Sequence, residues 1–145
     1  MNDSEAKRSR LASMITPATV AVLGVGSWGT ALALLLARNG HTVRLWGHDP
    51  EEVAPLRRER ENRRYLPGIS FPAALTAGTD LVAAVAGAEL VLAAVPSHAY
   101  RATLAQLRRS LPATAVLTWA TKGLEPGSGR FLHEVTDEVL GEACP

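Results

Sequence analysis

Val20-Ala21-Val22-Leu23-Gly24-Val25-Gly26-Ser27-Trp28-Gly29-Thr30 is the stretch that decides the fold. Val20 to Leu23 is a continuous apolar strand, a glycine-rich turn follows, and Thr30 to Arg38 is apolar on nearly every side, as in a helix buried by neighbours on all faces. The turn matches G-x-G-x-x-G, a pattern that arises often by chance and gains meaning from the strand before it and the helix after it. In that context Gly24 permits the tight turn, Gly26 lets backbone approach a pyrophosphate, and Gly29 lets helix and strand pack closely. The helix N-terminus offers unpaired N–H groups and the positive end of a dipole to the phosphates. A ligand-free glycine turn is the bland alternative.

Outward from this stretch, short apolar runs alternate with segments of helical period, the mark of a βαβ series with a parallel sheet. Asn39-Gly40 closes the first helix in left-handed cap chemistry, and His41 to Trp46 reads as the second strand. Asp49-Pro50-Glu51-Glu52 opens the next helix with an N-cap acid, a proline at the first helical position and a glutamate placed for a capping box. Pro55 lies one turn further on, so this helix is expected to kink or to start late. Asn62 to Pro72 reads as a loop, Leu75 to Ala77 as a short strand, and Glu89 to Val95 as a strand buried on both faces. Tyr100, Leu104, Leu107 and Leu111 form one helical stripe, with Arg101, Arg108 and Arg109 pointing elsewhere. Ala115 to Trp119 is a further strand, and Leu132, Val135 and Val139 mark a last amphipathic helix. The fold class is α/β, a Rossmann-type doubly wound, mostly parallel sheet with helices on both faces.

Composition sets the bounds. A chain of 145 residues, 47% hydrophobic and 20% charged, suits one folded domain. Fifteen Lys+Arg against 14 Asp+Glu leave a net charge of +1, too little for the field that binds nucleic acid or an anionic membrane. The lone Cys144 makes no internal disulfide, no Cys/His cluster has metal-ligand spacing, and a reducing cytoplasm is the expected compartment. Ala31 to Ala37, the longest apolar run, is far too short to span a bilayer. Residues 1–17 lack the apolar segment of a secretory signal and are expected to be a disordered tail, with Met14 an alternative start. Residues 18–145 are the expected nucleotide-binding domain.

An acid about 20 residues beyond the fingerprint would bind the ribose of NAD, and Asp49 has that spacing. The Pro and Glu behind it favour the N-cap role instead. If the strand ends at Leu45-Trp46, the ribose-facing position is Gly47 or His48, neither of which repels a 2′-phosphate, so both NAD and NADP fit.

Gly24 to Ala33, Leu45-Trp46-Gly47-His48-Asp49-Pro50, Asn62 with Tyr65-Leu66-Pro67-Gly68, Val95-Pro96-Ser97, and Ala120-Thr121-Lys122-Gly123-Leu124-Glu125 occur in this order. With them the chain resembles bacterial-type NAD(P)-dependent glycerol-3-phosphate dehydrogenases, over about Thr19 to Leu140. The resemblance implies reversible hydride transfer between NAD(P)H and dihydroxyacetone phosphate, giving sn-glycerol 3-phosphate for glycerophospholipid synthesis. It implies cofactor contacts from Gly24, Gly26, Ser27, Trp28, Gly29, His48 and Pro96, and a Lys122 that reaches both cofactor and substrate. Members continue into a mostly helical domain with the main catalytic Lys and the substrate-phosphate Arg, so no catalytic residue is assigned here; that domain is expected to be absent from this chain, which alone is then inactive. A homodimer is the assembly to look for in the full-length protein.

Lys122 also has a case of its own, because it follows a strand and ligands of open α/β sheets bind outside the carboxyl ends of the strands. Simpler roles stand beside these: a solvated charge for Lys122, helix packing for Trp28, capping for Ser97 and a surface position for His98. Two other functions compete, a dehydrogenase of a sugar acid or nucleotide sugar and a non-catalytic NAD(P)-binding module.

Overall fold

The computed structural model describes residues 16–141, so most of the expected tail, and Cys144, lie outside the described residues. Five parallel strands, β1 (Thr19–Leu23), β2 (Thr42–Trp46), β3 (Leu75–Gly78), β4 (Leu90–Ala93) and β5 (Val116–Trp119), form one sheet in the order β3-β2-β1-β4-β5. Between and after them come the helices α1 (Ser27–Arg38), α2 (Pro50–Glu59), α3 (Leu81–Val85), α4 (Ser97–Leu107) and α5 (Leu132–Leu140).

Side chains alternate across a strand, so β1 divides its residues between two cores. Val20 and Val22 join Val43, Leu45, Ala33, Leu34, Val53 and Leu56 under α1 and α2. Ala21 and Leu23 join Val91, Ala93, Val85, Tyr100, Leu104 and Val135 under α3, α4 and α5. The sheet is therefore covered on both faces, and its winding reverses between β1 and β4. In such sheets that reversal opens a crevice at the carboxyl ends of the two strands.

Three local expectations are corrected. α1 is not buried all round: it lies on one face of the sheet, and Leu35 on its outer side is 56% exposed. α2 does not start late, since it runs from Pro50 through Pro55 to Glu59; the carbonyl that Pro55 leaves without an amide belongs to Glu51, a surface residue. Asp49 caps α2 by accepting from the Glu51 amide at 2.9 Å, but the Glu52 carboxylate turns to Arg64 at 2.8 Å rather than back to the cap. The short α3 was not read from the sequence. Asp80 caps its start, accepting from the Ala83 amide at 3.0 Å, and the Arg44 guanidinium gathers its last carbonyls, those of Ala83, Ala84 and Ala86. No described helix is long and apolar enough to cross a membrane.

Candidate functional site

A cleft of about 580 Å³ opens at the reversal point, where the turns after β1, β2, β4 and β5 converge. Gly24, Gly26, Ser27 and Trp28 from the first turn, His48 from the second, Pro96 from the third and Lys122 from the fourth all line it. Of the residues expected at the site, Gly29 alone does not; it is buried beneath the turn.

The three glycines differ in what surrounds them. A β-carbon on Gly29 would lie 2.0 Å from the Gly24 carbonyl oxygen, and one on Gly24, whose φ is +122°, would lie 2.7 Å from the Ala94 oxygen. Both are required by protein packed against protein. At Gly26 a β-carbon would meet nothing within 4 Å, and the backbone there (φ −68°, ψ −176°) suits any residue. The space beside Gly26 belongs to the cleft, as a backbone surface for a diphosphate would require. Gly26 is also the residue before the first turn of α1, where amide groups lack intrahelical acceptors.

Trp28 is not helix packing. Its ring is 46% exposed, its Nε1 donates to the Ala120 carbonyl at 3.1 Å, and the Lys122 ammonium stands 5.3 Å from the ring centroid. The indole thus ties the first turn to the loop after β5, adding a cation–π contact of about 0.5–1 kcal/mol at such an exposed place. Thr121 Oγ1 donates to the Val95 carbonyl at 2.8 Å, holding the lysine loop against the end of β4. Further along, Arg101 of α4 grips Glu125 through two bonds, at 2.6 and 3.0 Å, and reaches Glu138 of α5 at 2.9 Å, while Arg130 joins Glu138 at 2.6 Å. The Arg101 guanidinium, helped by the Ser128 hydroxyl, lowers the Glu125 carboxyl to about 2, and Arg101 also pulls Glu138 down.

Ser97 is the first residue of α4 and makes no capping bond; Pro96 holds the cap position. His98 is exposed on the cleft wall. Tyr65, noticed in the sequence only as part of a motif, lines the cleft mouth as well. Asn62, another motif residue with no role assigned, is buried and bonded to the glycine turn. No feature of its neighbours in sequence shows that partner, which is 37 positions away.

Comparison with known proteins gives a consistent picture. The family model described as NAD-dependent glycerol-3-phosphate dehydrogenase N-terminus matches residues 19–144. Over 126 residues the chain is 57% identical to a glycerol-3-phosphate dehydrogenase [NAD(P)+] of Xanthomonas euvesicatoria and 58% identical to one of Stenotrophomonas maltophilia. Each match covers 87% of this chain and 37% of the relative, so the chain spans little more than a third of their length. A crystal structure of glycerol-3-phosphate dehydrogenase from Coxiella burnetii superposes with a TM-score of 0.82 at 44% identity, over 87% of this chain and 38% of that one. These matches do not favour a sugar-acid or nucleotide-sugar dehydrogenase.

Proposed function

Because the chain belongs to the NAD-dependent glycerol-3-phosphate dehydrogenase family, matching its N-terminal part, we propose that residues 18–145 form a domain that holds NAD or NADP in the cleft at the β1–β4 reversal. The observation that carries this reading is the contrast among the glycines: Gly24 and Gly29 are closed in by protein, whereas Gly26 faces open space in the cleft. Gly24 and Gly29 shape the turn, Gly26 and Ser27 offer backbone to the pyrophosphate, and Trp28 and Pro96 wall the path between the two ends of the dinucleotide. His48, at the end of β2, meets the adenosine ribose.

In the whole enzyme we assign this domain the cofactor side of a reversible reduction of dihydroxyacetone phosphate to sn-glycerol 3-phosphate, a precursor of glycerophospholipids. When bound, the nicotinamide supplies or takes the hydride. Lys122 sets a positive charge at the crevice, where it can face an anionic substrate and the cofactor together, and the Trp28 ring and the Thr121 bond fix its loop.

Titration of the chain with NADH, followed by calorimetry, tests the reading. Saturable binding is expected, and Gly26→Val should abolish it while leaving the thermal unfolding curve in place, since the valine side chain would enter ligand space and not protein. A folded Gly26→Val variant with unchanged affinity would remove the phosphate-cradle reading.

A further inference from the structure

Asn62 is 1% exposed, yet each of its polar atoms is engaged. Nδ2 donates to the Val25 carbonyl at 2.9 Å and to Thr30 Oγ1 at 2.8 Å, and Oδ1 accepts from the Tyr65 amide at 3.3 Å. Thr30 Oγ1 in turn donates to the same Val25 carbonyl at 3.2 Å. One carbonyl in the glycine turn is therefore held by two side-chain donors, one from α1 and one from a distant loop.

That carbonyl shares a peptide plane with the Gly26 amide. The described peptide bonds are all trans, and in a planar trans peptide the C=O and N–H point in opposite directions. With the Val25 oxygen held toward the buried Asn62 and Thr30 side chains, the Gly26 N–H points away from them, and Gly26 is itself a lining residue of the cleft. We propose that Asn62 is a positioning residue for the dinucleotide site. It presets the Val25–Gly26 peptide so that the Gly26 N–H faces the pyrophosphate, and through the Tyr65 amide it fixes the neighbouring wall of the same cleft. The proposal rests on the dinucleotide-binding reading above. A donor oriented beforehand serves an anion better than one that must be turned at the moment of binding, because no reorganisation opposes the contact. A buried amide used only as glue would stabilise the loop without affecting where a turn amide points.

Asn62→Ala removes the distant donor. Thr30→Val, nearly isosteric, removes the nearer one and keeps the packing, so it decides the matter if Asn62→Ala does not fold. We expect NADH affinity to fall at least tenfold in Asn62→Ala and about threefold in Thr30→Val. In nitrogen-15 spectra of the free chains the Gly26 amide resonance should move or broaden, while amides of β4 and β5 stay in place. Full NADH affinity in either folded variant overturns the inference, as does weakened binding with an unmoved Gly26 resonance. No NADH binding by the unsubstituted chain would overturn the cofactor reading and this inference together, whereas NADH binding by the unsubstituted chain with undiminished affinity in a folded variant overturns this inference alone, so the two failures are distinguishable.

Discussion

Gly47 is where space limits which side chain can stand at the end of β2. It is buried at the end of β2, and a β-carbon there would stand 2.7 Å from a Val53 methyl and 2.9 Å from both Val25 methyls. The carboxylate that reads a ribose 2′-hydroxyl at such a strand end has no room at this position. Asp49, two residues on, is committed to the start of α2. In the proposed cofactor site the side chain left to meet a ribose substituent would be His48, which is exposed on the cleft wall and whose imidazole can donate to a 2′-phosphate. Replacing it by aspartate exchanges a donor for a repelling charge. A charge-assisted hydrogen bond of this kind is worth about 1.5–3 kcal/mol, so His48→Asp should weaken NADPH relative to NADH by roughly ten- to a hundredfold. Competition titrations that return the same ratio before and after substitution would place the His48 side chain away from the ribose.

Among the elements, the loop after β5 shows how a site is held by charge. Arg101, Glu125, Glu138 and Arg130 bind α4, the lysine loop and α5 into one unit. Arg101 lowers Glu125 from an ordinary value near 4.5 to about 2. A carboxylate depressed in the folded state stabilises it fully above the ordinary value, and that stabilisation disappears as pH falls toward the folded one. Arg101→Met should thus melt below the unsubstituted chain near neutral pH, and the gap should close between pH 4.5 and 2; a gap independent of pH would show that Arg101 acts through packing. The strands and helices around this unit were legible because each carries its own signal: the apolar run Val20 to Leu23, the fingerprint glycines, the Asp49-Pro50 start, the Tyr100 to Leu107 stripe. α3 was missed because five residues complete barely more than one turn, too few for a periodic pattern, and Asp80 was its sole local signal. The cleft lining was legible where turns follow strands. Asn62 and the Trp28–Lys122 pair were not, since pairings between residues far apart in sequence leave no mark on their neighbours.

For the molecule as a whole, the question is how much of the reaction its cleft can support. Among the described residues lining it, Lys122 is the sole Lys or Arg. A phosphorylated ketone brings a phosphate and, as hydride arrives, a developing alkoxide, and stabilising both calls for several donors acting together in a site closed to water. The substrate must also be held in line with the nicotinamide, which one open wall does not accomplish. The relatives have nearly two thirds of their length outside the matched segment, and we assign the remaining donors to that part. The 145-residue chain should accordingly bind NADH and show no oxidation of it by dihydroxyacetone phosphate, whereas a hybrid continuing into the rest of the Stenotrophomonas maltophilia relative should turn over. Within that hybrid, Lys122→Ala removes the crevice charge but leaves the Trp28–Ala120 bond that anchors the indole. Turnover should fall strongly, with NADH affinity kept within about tenfold, a change of no more than ~1.4 kcal/mol. NADH absorbance recorded with both proteins separates the outcomes: appreciable turnover by the 145-residue chain would refute the single-wall argument, and full activity of the Lys122→Ala hybrid would refute the role given to the lysine.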